Sequence, residues 1–364
     1  MTETFQQIGR TYVRWRGRKL SYFGGCDYFR LASHPRVLRA VETGVRKFGL
    51  GVSASRRTTG NHVLYLQLEK ELARFFGAEA ALLVSGGYVT GQVATQALAG
   101  EFTHALMDEY SHLALLDAVQ VPGCPVIRFK HADAIDLGRR LRQLGRNARP
   151  IVLTDGMFAY NGSTAPLAAY LKLLPARGLL LVDDAHGAGT LGRTGKGTVE
   201  VEGVSRRQVI QCVTLSKAFG VYGGALLCSQ KMREHIVAHS HLFTGSTPLP
   251  LPLAYAALEA LRVLKTDKGL RRRLRANVQY VRQALRKAGI DVPDTPGPVV
   301  SIFPKSPREA AQLKQQLLAA GILPPYLNYP GGPVKGYFRF VISSEHSRGQ
   351  LGGMVRALKK SLQK

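Results

Sequence analysis

Lys217 stands where a predicted strand ends, flanked by hydroxyl groups and followed by a glycine-rich loop. Residues 209–213 are largely apolar, which predicts a buried strand, and residues 220–224 include three glycines that favour neither strand nor helix. Open α/β sheets bind ligands at the carboxyl ends of their strands. A lysine there can form a Schiff base with a carbonyl cofactor, and Thr214 and Ser216 can bind a phosphate. Considered alone, Lys217 has a simpler interpretation as an exposed surface lysine.

A second predicted strand ends in an acid and an imidazole. Residues 179–182 form another apolar run, and Asp183, Asp184 and His186 follow it closely. A pyridinium cofactor needs a carboxylate against its ring nitrogen, because that charge keeps the nitrogen protonated and makes the ring an electron sink. We assign this role to Asp183, and we expect His186 to hydrogen-bond the phenolic oxygen of the cofactor. A solvated strand-end turn would explain the two aspartates but neither the histidine nor the partner lysine.

The two segments at residues 182–189 and 214–220 together resemble the α-oxoamine synthases, which are fold-type-I enzymes that use pyridoxal 5′-phosphate (PLP). The likeness runs from about Tyr22 to near the C-terminus. It implies an enzyme that condenses a small amino acid with an acyl thioester, loses CO₂ and gives an α-amino ketone. It also implies a homodimer with its active site at the interface, and CoA or an acyl carrier protein as the carrier of the acyl group.

The resemblance assigns the cofactor-binding residues. A strand ending near Val84 leads into a glycine turn at a helix start, where backbone N–H groups and the helix dipole favour an anion. The resemblance implies that Gly86, Gly87 and Tyr88 bind the cofactor phosphate there. It implies that His112 stacks on the pyridine ring. It also implies that Thr244 reaches the phosphate of the neighbouring subunit. Locally, a simple strand–helix turn and a solvated histidine are the alternatives.

The same resemblance assigns the substrate contacts and shows three positions at which this chain differs from the family pattern. Arg339 matches the arginine that clamps the amino-acid carboxylate, a task suited to a planar guanidinium, although a surface arginine on an edge strand is the alternative. Cys26 stands where the family usually has an asparagine near the substrate. Asp155 replaces a glutamate and Ala159 replaces a serine. These departures predict a divergent substrate or a weakened family reaction.

The alternation of strands and helices from residue 64 to 227 predicts an α/β fold with a mostly parallel, seven-stranded type of sheet flanked by helices. We expect an N-terminal arm (1–35) with a short hairpin, a large cofactor-binding domain (36–250) and a smaller α+β domain (251–364). Helices are predicted over 35–48 and 64–76. The apolar face of the first is expected to consist of four side chains: Val37, Ala40, Val41 and Val45.

Composition limits the class of protein. The chain has 364 residues and is 45% hydrophobic, enough for a large core. No run is long and apolar enough to cross a bilayer. The four cysteines are scattered without the spacing of metal ligands, which indicates a reduced cytoplasmic protein with no disulfide and no structural metal.

The charge is unusual, with 50 Lys and Arg against 24 Asp and Glu and a formal net charge of +26. Such a field attracts anionic partners: a CoA thioester, an acidic acyl carrier protein or nucleic acid. The sequence has no nucleic-acid-binding motif, which argues against the last. The other interpretation is a basic surface on outward helix faces, with no specific partner.

Two other functions remain open from the sequence. One is a PLP enzyme of different chemistry, either an aminotransferase or a C–C lyase, which the products would distinguish. The other is a non-catalytic binding protein on the same fold. Retention of Lys217, Asp183, His112 and Arg339 argues against the binding protein, whereas the departures at Cys26 and Ala159 leave it open.

Overall fold

The computed structural model describes residues 4–329, 332–333 and 335–362. Its strands, in chain order, are β1 (Gln6–Ile8), β2 (Tyr12–Trp15), β3 (Arg18–Tyr22), β4 (Ala80–Val84), β5 (His104–Asp108), β6 (Val126–Phe129), β7 (Pro150–Asp155), β8 (Leu179–Asp183), β9 (Val209–Thr214), β10 (Gly224–Cys228), β11 (Val299–Ile302), β12 (Ile322–Leu323), β13 (Tyr326–Leu327) and β14 (Tyr337–Val341). Its helices are α1 (Pro35–Phe48), α2 (Val63–Phe76), α3 (Thr90–Ala97), α4 (Leu113–Gln120), α5 (Ala134–Gln143), α6 (Leu167–Leu173), α7 (Thr198–Val201), α8 (Gln230–His239), α9 (His241–Gly245), α10 (Leu251–Thr266), α11 (Lys268–Lys287), α12 (Pro307–Ala319) and α13 (Arg348–Leu362). Within these described residues, no helix combines the length and apolar character needed to cross a membrane.

A seven-stranded sheet forms the centre of the fold, in the order β4-β10-β9-β8-β7-β5-β6. Strand β10 runs antiparallel to both of its neighbours, and the remaining pairs are parallel. Alternate residues of β4 enter different cores, because Ala81 and Leu83 belong to one and Leu82 and Val84 to the other. Side chains on opposite faces of a strand are both buried only when both faces of the sheet are covered. The expected α/β sheet flanked by helices is therefore confirmed.

The N-terminal arm adds its own sheet. Strands β2 and β3 form the predicted hairpin around Arg16 and Gly17, which have φ values of 46° and 75°. Strand β1 extends this hairpin on one side, and the short strand β12 pairs with β3 in parallel on the other. The arm is thus attached to the C-terminal part of the chain, which also contains the antiparallel sheet β11-β14-β13 and helices α11 to α13.

Helix α1 has the predicted bounds but a different buried face. Val37 and Ala40 are buried as expected, whereas Val45 is 43% exposed. Gly44 faces α10 instead, where a methyl group at position 44 would lie 2.8 Å from the Cα of Pro252. The apolar pattern missed this contact because a glycine that permits close helix packing has no side chain to count. Helix α10, which we assigned to the smaller domain, packs here against α1 and α2.

A buried carboxylate in α2 joins four segments of the large region. Glu69 accepts hydrogen bonds from Arg56 at 2.5 Å, from Arg233 at 2.9 Å and from the backbone N–H of Leu83 at 2.9 Å. The side chains of Arg56 and Glu69 are each only 6% exposed. Glu69 therefore holds the loop before α2, strand β4 and helix α8 in place.

We expect Glu69→Gln to lower the free energy of unfolding by about 3–5 kcal/mol, because it leaves the buried guanidinium of Arg56 and the half-buried one of Arg233 without their counter-charge. Glu71→Gln, on the same helix, is the matched control. Glu71 also receives hydrogen bonds from two cations, Arg74 and Lys265, but its side chain is 31% exposed. Its loss should cost below about 1 kcal/mol. Chemical denaturation measures both, and equal losses would contradict the role given to Glu69.

Candidate active site

A cavity of about 420 Å³ opens at the carboxyl edge of the parallel strands. Most of its lining comes from segments that directly follow β4, β5, β8 and β9, and the remainder comes from the arm and from the C-terminal sheet. The structure brings together eleven of the twelve residues expected at the site: Cys26, Gly86, Gly87, Tyr88, His112, Asp183, His186, Thr214, Ser216, Lys217 and Arg339. The cavity is therefore the candidate active site.

One wall of the cavity combines hydroxyl groups with a close backbone approach. Thr214 Oγ1 lies 3.2 Å from Ser216 Oγ and accepts a hydrogen bond from the Ser216 N–H at 3.2 Å. A methyl group at Gly87 would lie 2.5 Å from Thr214 Oγ1, so only glycine allows the β4–α3 turn to approach β9 this closely. The arrangement places backbone and hydroxyl donors beside each other, as an anion such as phosphate requires.

The Asp183 carboxylate can accept more hydrogen bonds than the described residues donate to it. It is 9% exposed, and its carboxylate receives one hydrogen bond from the described residues, from the Ala185 N–H to Oδ1 at 3.0 Å. Asp155 lies beside it in register on β7. Burial, and then the charge of Asp183, raises the pKa of Asp155 well above its usual value. Asp155 is thereby held neutral, and Asp183 is available to a cationic partner.

His186 bridges two residues from distant parts of the chain. Its Nδ1 lies 2.6 Å from the Tyr28 hydroxyl and its Nε2 lies 2.9 Å from Lys217 Nζ. Burial, and then the positive charge of Lys217, lowers the pKa of His186 well below its usual value. The imidazole is therefore neutral, and its two nitrogens connect the candidate catalytic lysine to a buried tyrosine.

His112 is fixed in orientation by its own helix. It caps α4, where its Nδ1 accepts the Ala114 N–H at 3.1 Å, and its backbone N–H donates to Asp155 Oδ2 at 3.1 Å. Burial lowers the pKa of His112. Its ring lies 5.7 Å from the ring of Tyr329, measured between centroids. A neutral imidazole held in this way presents a defined ring to the cavity.

Arg339 lies on β14, the middle strand of the C-terminal sheet, and not on an edge strand. Its guanidinium lies 4.7 Å from the centroid of the Tyr329 ring. Nη1 makes a long 3.5 Å contact with the Ala159 carbonyl oxygen, and Nε is buried without a partner among the described residues. Tyr329 and Tyr337 also interact with its side chain, so the unpartnered Nε is the donor that the described chain leaves for a carboxylate ligand.

Comparison with known proteins identifies the family of this chain. The family described as Aminotransferase class I and II matches residues 24–358. The chain belongs to this family.

Within the family, the chain is similar to 8-amino-7-oxononanoate synthases. It is 36% identical over 349 residues to that of Thioalkalivibrio sulfidiphilus, a match that covers 95% of this chain and 89% of the relative. It is 33% identical to that of Trichlorobacter lovleyi, with 94% and 88% covered. The serine palmitoyltransferase of S. paucimobilis, solved with bound PLP–myriocin aldimine, is 26% identical with a TM-score of 0.90, and the match covers 98% of this chain and 92% of that one. The expected membership of the α-oxoamine synthases is confirmed.

Thr244 is the one expected family residue that does not line the cavity of its own chain. It lies in α9, where its hydroxyl donates to the Ser240 carbonyl oxygen at 3.1 Å and its carbonyl oxygen accepts from Ser55 Oγ at 2.6 Å. Tyr88 lines the rim, 46% exposed, and its hydroxyl donates to Asp117 Oδ2 at 2.6 Å. The role of Thr244 in a neighbouring subunit stays a prediction.

Two of the three departures from the family pattern lie behind the cavity wall. Asp155 and Ala159 are both buried and contact the backbone of His112 and the side chain of Arg339, respectively. Cys26 lines the cavity itself. Sequence reasoning did not assign roles to Tyr28 and Tyr329, which contact His186 and Arg339. Tyr28 lies in the family-like segment that contains Cys26, whereas no motif marks Tyr329.

Proposed function

We propose that this chain is a PLP-dependent acyltransferase that condenses a small amino acid with an acyl thioester, as an 8-amino-7-oxononanoate synthase does. The observation that carries the proposal is the meeting of Lys217, Asp183, His186 and Arg339 at one cavity. The chain that supplies them is 36% identical to a synthase of this name. Each group is of the type that the reaction needs, and their parallel-strand placement matches the usual ligand edge of an α/β sheet.

The residues present fit PLP. Asp183 has an unused acceptor for a protonated ring nitrogen. Beside Thr214 Oγ1, the absence of a side chain at Gly87 leaves the backbone N–H groups of the turn open to a phosphate. Gly86, Gly87, Tyr88, Thr214 and Ser216 would hold that phosphate, with Thr244 contributing across the dimer. When bound, PLP supplies a protonated ring that withdraws negative charge from the α-carbon of the amino acid.

The side chains divide the remaining work. Lys217 Nζ accepts the proton of the amino-acid α-carbon and later returns one, because it is the base at the centre of the cavity. Asp183 holds the proton on the ring nitrogen, and His112 fixes the tilt of the ring. Arg339 orients the amino acid through its carboxylate, since its Nε has no partner among the described residues and its contact to the Ala159 carbonyl oxygen is long.

The name of the relatives indicates the substrates. In 8-amino-7-oxononanoate the amino-bearing carbon is next to the ketone, so breaking the bond between them yields alanine without its carboxyl group and a dicarboxylic acyl group. We propose alanine and the thioester of such an acyl group for this chain. A carbon–carbon bond forms between the α-carbon and the acyl carbonyl, the thiol leaves, the carboxyl group departs as CO₂, and the α-carbon regains a proton.

We propose that the carrier of the acyl group is anionic, either CoA or an acidic carrier protein, because the chain has a formal net charge of +26. Helix α11 shows how one-sided this charge is. It carries eight basic and no acidic residues, and Lys268, Arg272 and Arg275 share its exposed side. The cytoplasmic location expected from the scattered cysteines stays a prediction.

We expect PLP to give a visible absorption band that depends on Lys217. The band should form in the wild type, shift when alanine is added, and be absent from Lys217→Ala, since this variant lacks the amine that binds the carbonyl carbon. Lys172→Ala removes an exposed lysine of α6 and should keep the band. A band that survives in Lys217→Ala would contradict the assignment of the lysine.

Incubation of the holoenzyme with alanine and a dicarboxylic acyl-CoA should release CO₂ and free thiol in equal amounts and give an α-amino ketone. Arg339→Lys should raise the KM for alanine by about 10- to 100-fold, because a hydrogen bond to a charged group contributes roughly 1.5–3 kcal/mol. Arg308→Lys, on the exposed side of α12, is the control. Amino-group transfer without CO₂ would indicate an aminotransferase, and amino-acid cleavage without thioester consumption a C–C lyase.

We propose that the chain is a homodimer and that an apolar patch at the junction of α1 and α2 lies in its interface. The patch consists of Val45, Leu50, Val63 and Leu66, and the rings of Phe48 and His62 join its two halves at 5.6 Å. Leu50 is 74% exposed and Val63 is 57% exposed in the single chain. Exposed apolar side chains that cluster in this way are typical of an interface.

The double variant Val63→Asp, Leu66→Asp should be monomeric by light scattering, because burial of two carboxylates in an interface is costly. Ile135→Asp is the matched control, since Ile135 is also exposed and apolar but lies alone on α5. It should leave the mass unchanged. A wild type with the mass of one chain would refute the dimer, and a double variant that stays dimeric would place the interface elsewhere.

A further inference from the structure

The buried contact between Tyr28 and His186 extends the candidate catalytic lysine into the protein. Tyr28 is fully buried, and its hydroxyl lies 2.6 Å from His186 Nδ1, while Lys217 Nζ lies 2.9 Å from His186 Nε2. The backbone of Tyr28 is fixed at both ends, by its N–H to the Cys26 carbonyl oxygen and by its carbonyl oxygen to the Ser344 N–H. The three side chains therefore form one continuous hydrogen-bonded chain.

Counting protons along this chain fixes the tautomer of His186. The imidazole is neutral and carries one N–H, because burial and the charge of Lys217 disfavour its protonation. A lysine ammonium has three donors and no acceptor, so it donates to Nε2. The proton of His186 is then on Nδ1 and is donated to the Tyr28 oxygen. The Tyr28 hydroxyl must in turn donate elsewhere, and the Cys26 thiol is within its hydrogen-bonding reach.

The direction of these hydrogen bonds reverses when Lys217 Nζ is no longer an ammonium. We propose that Tyr28 is a positioning residue that sets the tautomer of His186 and carries its proton when Lys217 loses one. The proton of Lys217 Nζ enters at His186 Nε2, and the proton of Nδ1 passes to the Tyr28 oxygen. The original hydroxyl proton passes to the Cys26 sulfur as the thiol releases its own proton to solvent in the cavity. One proton enters the chain and one leaves it, so the imidazole stays neutral throughout.

Only a hydroxyl group at residue 28 can pair with His186 Nδ1 in both tautomers of the imidazole. In the first state the Tyr28 oxygen accepts from Nδ1–H, and in the second its O–H donates to Nδ1, so the buried nitrogen is paired in each. Phenylalanine would leave Nδ1 without a partner in either state, and a buried unpaired polar atom is costly. Burial raises the pKa of Tyr28 well above its usual value, which keeps the phenol protonated and able to donate.

The second tautomer is the one that the proposed cofactor needs. With PLP held on Lys217, Nζ would no longer donate as an ammonium. His186 Nε2–H is then free to donate to the phenolic oxygen that we expect beside it. This part of the inference rests on the proposed function, whereas the tautomer of the free protein does not.

Nitrogen NMR of protein labelled with ¹⁵N-histidine tests the proposal, because ring nitrogens with and without a proton have well-separated shifts. The chain has ten histidines, and comparison with His186→Gln assigns the signal of interest. In the wild type we expect Nδ1–H in the free protein and Nε2–H after addition of PLP. In Tyr28→Phe the free protein should keep Nδ1–H, and the change on addition of PLP should be lost.

Tyr65→Phe is the matched control. Tyr65 is also buried, and its hydroxyl also makes one hydrogen bond of 2.6 Å, to the Leu249 carbonyl oxygen. It should lose comparable stability but retain the complete change at His186. The proposal is overturned if the wild-type tautomer is the same in both states, or if Tyr28→Phe changes as completely as Tyr65→Phe.

Failure of the cofactor assignment would be seen separately, as the absence of a Lys217-dependent absorption band. The tautomer would then be measured on the free protein over a series of increasingly alkaline pH values. The titratable and charged groups that face Tyr28, His186 and Lys217 are Cys26, His112, Asp155, Asp183, Tyr329 and Arg339. The same change from Nδ1–H to Nε2–H is expected in the wild type, and its absence would refute the relay.

Discussion

The parallel pairing of β7, β8 and β9 is the constraint on which the site depends. Asp155 pairs with Asp183, and Asp183 with Cys212, two residues before β9 ends at Thr214, so the three strands end at the same edge of the sheet. Lys217 follows β9 closely and therefore lies near the acids that end β7 and β8. A slip of one residue would turn Asp183 to the other face of the sheet and separate it from Lys217.

The C-terminal sheet and the arm complete a cavity that the large sheet only begins. Arg339 comes from the middle of β14, and Cys26 and Tyr28 come from the segment after β3. Backbone hydrogen bonds join these two segments, from Val341 to Phe23 and from Ser344 to Tyr28. His346 adds a third link, because its Nε2 lies 3.0 Å from the Tyr22 carbonyl oxygen and its Nδ1 accepts the Ser343 N–H. His346 thus has a structural role in holding these two segments together.

Sequence reasoning located the strands because they follow from local order, and resemblance to the family supplied most residues of the candidate site. An apolar run predicts a strand wherever both sheet faces are covered, and polar residues after it predict a ligand edge. The failures concern contacts between distant segments. Gly44 rather than Val45 faces α10, because the two helices lie too close at this point for a side chain to fit between them. Tyr28 and Tyr329 belong to the site through their contacts with His186 and Arg339. A local sequence pattern does not predict such contacts between separate segments.

The long sequence separation between the arm and its partners has a consequence for synthesis. Strand β3 pairs with β12, and Tyr28 bonds to Ser344, so the arm leaves the ribosome first but finds these partners only near the end of translation. The central sheet, from β4 to β10, can form earlier from residues that are already available. The growing chain is therefore a folded scaffold with an unfinished pocket. The pocket is therefore completed only once the segment from β12 to Ser344 is available to pair with the arm.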